Sequence, residues 1–575
     1  MEWNLEELFK TEEEFYKEIE SIKKELETIK QYESVELNQD NLLELLDKKW
    51  KIKERTNNIL VYGSLRYYKN INDKQTIKLK TIAETLNSEV DKSLNFIDLK
   101  ILELGKEKLE RFIKENQNLK TYELYIDNLF RIQEHIEDEK TNEKIKQNND
   151  RINELLTKYN TLISEMKFDT IEENGEQIEV NSGNYSKLLQ SNNQQTRRQA
   201  YLSVDKAYKE KQQEFFEILK EIYELRIENS KLEKYDSVLE KILTKENIDK
   251  KIIETLISSV NKNLSLIHEY LNIKSRLNNI KTPHIYDFGL QPNNINVEYT
   301  LEDAIEIIKT TLEPLGQEYM EVVNILLNGH IDTILDENKH QSITFSWHTY
   351  SFLNYKNRYI DLKNLIHELG HIANYYMSMH KQPFIYEDST IFVGETASLA
   401  NEILLNRYLY ENSKTKEEKL FYLIKQIENY FTSVYKQTMY TEFESKIYEL
   451  INSNSLTPER INEEYINLIK KYYGNNIDYS DVSCVEWIRL GHLFRWSYYP
   501  YKYATGLIIS SILVNELLDT KTLTKEEYIE FLSSGSNAYS LDLLKKLKID
   551  LTDNSIIEDG FKVLEKSINQ LKKHL

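Results

Sequence analysis

Hydrophobic positions early in the chain recur at helical spacing. Phe15, Ile19, Ile22, Leu26 and Ile29 step by four and three residues, and Phe215, Leu219, Ile222 and Leu225 do the same. Such stripes predict amphipathic helices packed on helices, and both are too short for an extended coiled coil. One stretch breaks the pattern. Residues 168–180 read FDTIEENGEQIEV, with Asn174-Gly175 between two β-compatible runs. Asn-Gly supplies the positive φ angles of a tight turn, so a small hairpin is expected there.

The pattern changes near residue 281. All six prolines follow it (Pro283, Pro292, Pro314, Pro383, Pro458 and Pro500), and only four of the 14 glycines precede it: Gly63, Gly105, Gly175 and Gly183. Residues 341–355 read QSITFSWHTYSFLNY, whose threonine and aromatic content predicts one or two strands. Glycine and proline together make up only 20 of 575 residues. A chain so poor in turn residues is mainly helical, not a sandwich or barrel of many short strands. Its length calls for two or more lobes.

Charge and composition narrow the function. The net charge of −20 disfavours a nucleic-acid binder or a protein that docks on acidic membranes. The longest greasy run, residues 504–514, is far short of the roughly 20 residues a membrane span needs. The acidic start, Met1-Glu2-Trp3-Asn4, carries no secretory pattern, and the single cysteine, Cys484, allows no intramolecular disulfide and no thiolate zinc cluster. A soluble cytoplasmic protein is the expectation.

The chemistry concentrates in residues 361–377, DLKNLIHELGHIANYYM. Leu362, Leu365, Leu369, Ile372 and Tyr376 hold helical spacing, Ile366 and Ala373 widen the stripe, and Asp361 is the expected N-cap. His367 and His371, four residues apart, project from one face and suit two bonds to one tetrahedral zinc. Glu368 can reach a metal-bound water as a general base, completing a His-Glu-x-x-His pattern. This composition would produce that pattern by accident about 0.02 times. Eight of the 11 histidines lie between His284 and His492. A catalytic zinc needs a third protein ligand. The candidate is Glu395 in IFVGETASLANE (391–402), which begins a second apparent helix; alone, it reads better as a helix-start glutamate favoured by the macrodipole, and the histidine pair reverses that preference. Glu402, two turns on, is either a carboxylate that orients a ligand histidine or an exposed glutamate. Residues 487–506, WIRLGHLFRWSYYPYKYATG, place His492 beside Tyr498, Tyr499, Tyr501 and Tyr503. These groups are either hydrogen-bond donors to a developing oxyanion or an aromatic packing patch.

HELGH at 367–371, GETAS at 394–398 and HLFRWSYYPYKYATG at 492–506 resemble the zinc metallopeptidases of the thimet oligopeptidase and oligoendopeptidase F family, the bacterial oligoendopeptidase F branch above all. LVYGSLRYYKN at 60–70, TRRQAY at 196–201 and SVNKNLSLIHEYLNIK at 259–274 extend the likeness to most of the chain. The resemblance implies a mainly α, bowl-like or clam-like molecule of two lobes, with a small β-sheet near the active site and a deep substrate channel. It implies an N-terminal helical lobe over 1–185, a catalytic domain over 186–575, and a cytosolic endopeptidase of short peptides with one zinc per chain; a monomer is the expectation, although the sequence itself does not show the oligomeric state. His367, His371 and Glu395 match the zinc ligands and Glu368 the base. His492 and Tyr501 match the groups that steady the oxyanion, with Tyr498 next. The stretch from Ser346 to Tyr355, with Tyr350 as its named contact, is similar to the edge that pairs with extended substrate. One departure is that residues 493–497, LFRWS, lack the Gly-rich loop of the members nearer thimet oligopeptidase. A zinc carboxypeptidase of a related helical type and a non-catalytic peptide-binding protein are the alternatives.

Overall fold

The computed structural model describes residues 1–173, 175–291, 297–334, 339 and 344–574. Helices dominate, and the described strands form one two-stranded and one three-stranded sheet. The expectation of a mainly α chain with a small sheet is borne out. Contacts divide the chain into two units, each assembled from three separate stretches. The boundary expected at residue 185 lies inside the second unit.

The first unit comprises Met1–Glu134, Val297–Leu405 and Val514–Leu547. Its early core comes from the predicted stripe: Phe15, Ile19, Ile22, Leu26 and Ile29 are all buried on the helix Glu12–Ile29. That helix packs on a pair of long antiparallel helices, Gln39–Lys69 and Lys74–Leu104. Gly63 lets this pair approach closely, since a Cβ there would stand 3.0 Å from both Ala83 Cβ and the Leu79 carbonyl oxygen.

The three-stranded sheet belongs to this unit as well. The strands Phe345–Trp347 and Tyr350–Phe352 pair antiparallel, joined through His348, whose φ of 57° makes the tight reversal. Residues 341–343 of the expected strand region lie outside the described residues. A third strand, Ile331–Asp332, pairs parallel with Tyr350–Phe352. Sequence patterning offers no signal for so short a parallel partner. Tyr350 therefore sits in the central strand, between the edge strands Phe345–Trp347 and Ile331–Asp332.

The second unit comprises His135–Asn296, Asn406–Leu513 and Lys548–Leu575. The helix Gln212–Leu232 buries Phe215, Leu219 and Ile222, with Leu225 partly covered. The hairpin forms as expected, Thr170–Glu173 against Glu176–Glu179 with Ile171 opposite Ile178. Gly175 has a φ of 83°; Asn174 lies outside the described residues. The TRRQAY segment works as a fastener. The buried Arg197 guanidinium donates to the Asp287 carboxylate at 2.7 and 3.0 Å. Arg198 pairs with Asp481, and the Tyr201 hydroxyl accepts from the Ser483 N–H.

Candidate metal centre

His367 and His371 lie on the helix Tyr359–Lys381, which we call the histidine helix. Its apolar face is the predicted one: Leu362, Leu365, Ile366, Leu369, Ile372 and Ala373 are fully buried, while Tyr376 is half-buried. Asp361 is not the N-cap residue. The helix begins two residues earlier, and the Asp361 carboxylate reaches back to accept from the N–H groups of Arg358 and Lys356, both at 3.0 Å. It still satisfies orphan donors of the first turn, but from the N3 position.

Glu395 lies on the helix Ile391–Glu411, the glutamate helix. Residues 382–390 reverse the chain between the two helices. The crossing is unusually close at Gly370, where a Cβ would stand 2.6 Å from Ser398 Cα and 2.9 Å from Ala397 O and Ser398 N. A glycine inside a helix costs about 1 kcal/mol against alanine, so this contact explains its presence. Asn401 adds a tether, donating from its side-chain amide to the Ile366 carbonyl at 3.2 Å.

The result is a three-residue cluster. One donor atom each from His367, His371 and Glu395 lies within 4.8 Å of the others. Two imidazoles and one carboxylate are the protein donor set of a catalytic zinc site. The rings are fixed from outside the cluster. His367 Nδ1 lies 2.8 Å from Glu402 Oε1, and Glu402 Oε2 receives Lys363 Nζ at 3.0 Å. The Gly394 backbone carbonyl accepts from His371. Each imidazole thus has one nitrogen engaged and the other left for a cation, an arrangement typical of ligand histidines.

The surroundings act differently on the two rings and the two carboxylates. Burial alone would raise the Glu402 carboxyl, but Lys363 and His367 outweigh it and hold it at about 2, ionised. Burial, aided by the neighbouring His367, lowers His371 to about 3, which keeps it neutral and able to ligate. Burial would lower His367 too, yet Glu402 outweighs that and raises it. Glu368, buried on the same helix, is raised by desolvation, as suits a base. The Ser346 hydroxyl donates to Glu368 Oε2. Ser346 belongs to the edge strand Phe345–Trp347, so the base and that edge are adjacent. Sequence reading did not single out Ser346, Lys363 or Gly370. Lys363 alone carried a signal, standing one turn before His367.

Tyr350, the expected substrate contact, has a buried side chain. It is 1% exposed, packs with Trp3, Val61, Leu65 and Phe352, stacks on His330 at 4.8 Å, and donates its hydroxyl to the Asn4 carbonyl. The central strand's alternation points this ring inward.

The remaining predicted residues belong to the second unit. His492 sits on the short helix Gly491–Arg495, whose last carbonyls, on Leu493 and Phe494, accept from Arg226 at 3.1 and 2.6 Å. Burial lowers His492 to about 4, so its ring is neutral at pH 7. Its Nε2 is buried without a hydrogen-bond partner among the described residues. Tyr501 is fully buried and donates to Glu246 Oε2 at 3.0 Å. Tyr498 is buried with a φ of 50°; its N–H donates to both Glu444 oxygens at 2.9 Å and its ring stacks on Tyr448. Tyr499 and Tyr503 are half-buried.

Comparison with known proteins agrees with the motif resemblance. A model of peptidase family M3 matches residues 187–563. The chain is 28% identical to oligopeptidase PepF of Bacillus subtilis (strain 168) over 591 residues, covering 100% of this chain and 87% of the relative. It is 29% identical to an oligoendopeptidase F homolog of Borreliella burgdorferi over 586 residues, 99% and 98% of the two chains. Among solved structures, one from Chlamydophila abortus superposes with a TM-score of 0.87 at 25% identity, covering 100% and 98%. The oligoendopeptidase-F of Enterococcus faecium shares the fold, with a TM-score of 0.74 at 23% identity over 98% and 99%. No described helix is long and apolar enough to cross a membrane.

Proposed function

As a member of peptidase family M3 the chain is a metalloendopeptidase, and we propose that it hydrolyses internal bonds of short peptides using one zinc ion held by His367, His371 and Glu395. The observation that carries this reading is the convergence of those three donor atoms within 4.8 Å. A zinc ion bound there would polarise the scissile carbonyl and lower the pKa of a water molecule towards 7.

Glu368 accepts the proton of the attacking water and passes it to the leaving amine. Burial raises its basicity, and the Ser346 hydroxyl orients the carboxylate. Glu402 fixes the His367 ring and keeps it as a ligand. The edge strand Phe345–Trp347 presents backbone groups with which an extended peptide can form β-type hydrogen bonds. His492 is the proposed donor to the charge developing on the carbonyl oxygen, and its unengaged Nε2 fits that role. Tyr501 and Tyr498 complete the proposed set; Tyr501 must first release Glu246 to serve. Residues 186–575 are the proposed catalytic domain. A monomer in a reducing cytoplasm fits the single Cys484.

The test uses a peptide blocked at both ends, with a quenched fluorophore pair across its interior. The parent cleaves it, which a carboxypeptidase cannot do. Glu368→Gln binds zinc as the parent does and loses nearly all turnover. Parental turnover by that variant would remove Glu368 as the base.

A further inference from the structure

The second unit contains a cavity of about 350 Å³ that the proposed chemistry does not use. It lies among the helix Leu264–Leu277, the segment Ile285–Gly289, the helix Lys416–Tyr430 and the segment Glu486–Arg489. Its volume suits one or two amino-acid residues. The walls are aromatic, with Tyr185, Tyr270, Tyr286 and Tyr473 prominent.

The charges lining it are Lys274, Lys436 and Arg489 against Glu428 and Glu486, an excess of cations in a chain of net charge −20. They are not equally engaged. Lys274 is buried and paired with Glu428, whose second oxygen takes Lys425 at 2.8 Å. Arg489 and Lys436 have no carboxylate within 4.0 Å among the described residues. The Arg489 guanidinium lies over the Tyr185 ring, 4.7 Å from its centroid. The guanidinium also donates to the Tyr185 hydroxyl; its other N–H groups carry the fork geometry that matches a carboxylate. Arg489 lines the concave wall and keeps part of its side chain exposed to solvent.

The cavity is coupled to the proposed oxyanion donor. Arg489 precedes His492 by three residues. The Tyr440 ring contacts His492 at 5.4 Å, and the Tyr440 hydroxyl feels the charges of Lys436, Glu486 and Arg489.

We propose that this cavity is a substrate subsite for a peptide carboxylate, bound by Arg489 and Lys436 while the tyrosine rings enclose the residue that carries it. The proposal rests on the peptidase reading above and names the substrate class it favours. The carboxylate belongs either to the peptide's C-terminus or to an acidic side chain, and the chemistry is the same.

Four versions of one internally quenched peptide separate these sources: C-terminal acid or amide, each with Glu or Gln on the C-terminal side of the cleaved bond. The zinc-loaded full chain is assayed as parent, Arg489→Gln, Arg489→Lys and Lys436→Gln. In the parent, one carboxylate raises kcat/KM about tenfold to a hundredfold, mostly through KM. A preference that follows the terminus, or one that follows the side chain, supports the subsite and identifies its source. Arg489→Gln reduces the preference towards unity and Arg489→Lys restores part of it. The preference is a ratio within each variant, so loss of folded protein does not mimic it. Equal kcat/KM for all four peptides in the parent overturns the proposal, as does an unchanged preference in both Arg489→Gln and Lys436→Gln. No hydrolysis of any peptide by the parent is a different result: it overturns the peptidase reading and the subsite with it.

Discussion

Gly370→Ala tests whether the approach of two helices sets the metal cluster. The new Cβ would lie 2.6 Å from Ser398 Cα and 2.9 Å from Ala397 O and Ser398 N. All three are backbone atoms, so no side-chain rotation relieves the clash. Carbon atoms settle about 3.5–4.0 Å apart, so the helices must separate by about 1 Å. Glu395 lies one turn from Ser398 on the displaced helix, whereas His367 and His371 flank Gly370 on the other. Metal–ligand distances tolerate only about 0.2 Å of error. We expect zinc affinity to fall at least tenfold and kcat/KM to fall on the order of a hundredfold. Overpacking costs about 1–3 kcal/mol of stability, offset by the roughly 1 kcal/mol better helix propensity of alanine. Zinc affinity is read by competition with a chromophoric chelator, and folding by circular dichroism and thermal melting. A folded Gly370→Ala protein with parental zinc affinity would refute the claim that this crossing positions Glu395.

Glu395→Ala should retain zinc much more weakly than the parent at equal chelator concentration; equally tight, stoichiometric zinc would remove Glu395 from the ligand set. Glu402→Gln should weaken zinc binding about tenfold to a hundredfold, because a neutral amide no longer polarises His367; metal competition measures this. Burial pushes Glu444 up to about 8. The folded protein thus keeps a proton that the unfolded chain releases near pH 4.5, and stability falls as pH rises from about 4.5 to 8. Glu444→Gln should flatten that slope in urea titrations at pH 5, 6.5 and 8, and parallel slopes in both proteins would contradict the assignment. Arg197→Met leaves Asp287 charged and buried, and should cost about 3–5 kcal/mol in denaturant unfolding.

The sequence by itself determined what depends on neighbours a few residues away. The helical stripes, the hairpin at residues 168–180 and the histidine pair follow from spacings of three, four and two, which backbone geometry converts directly into shared faces. His367 and His371 needed only one helical turn to meet. The candidate for a third ligand, Glu395, was legible once that pair was recognised, because its motif follows one reversing loop later.

The tertiary structure decided what depends on which distant segments meet. Tyr350 reads as a strand residue, but only its pairing with Ile331–Asp332 makes that strand central and turns its ring inward. Tyr501 stands in the expected motif, yet Glu246, 255 residues away, takes its hydroxyl. Ser346 and Glu368 carry no periodic relation that would announce their contact. Burial, partner and protonation are properties of packed surroundings, and those are assembled from stretches that no local spacing connects.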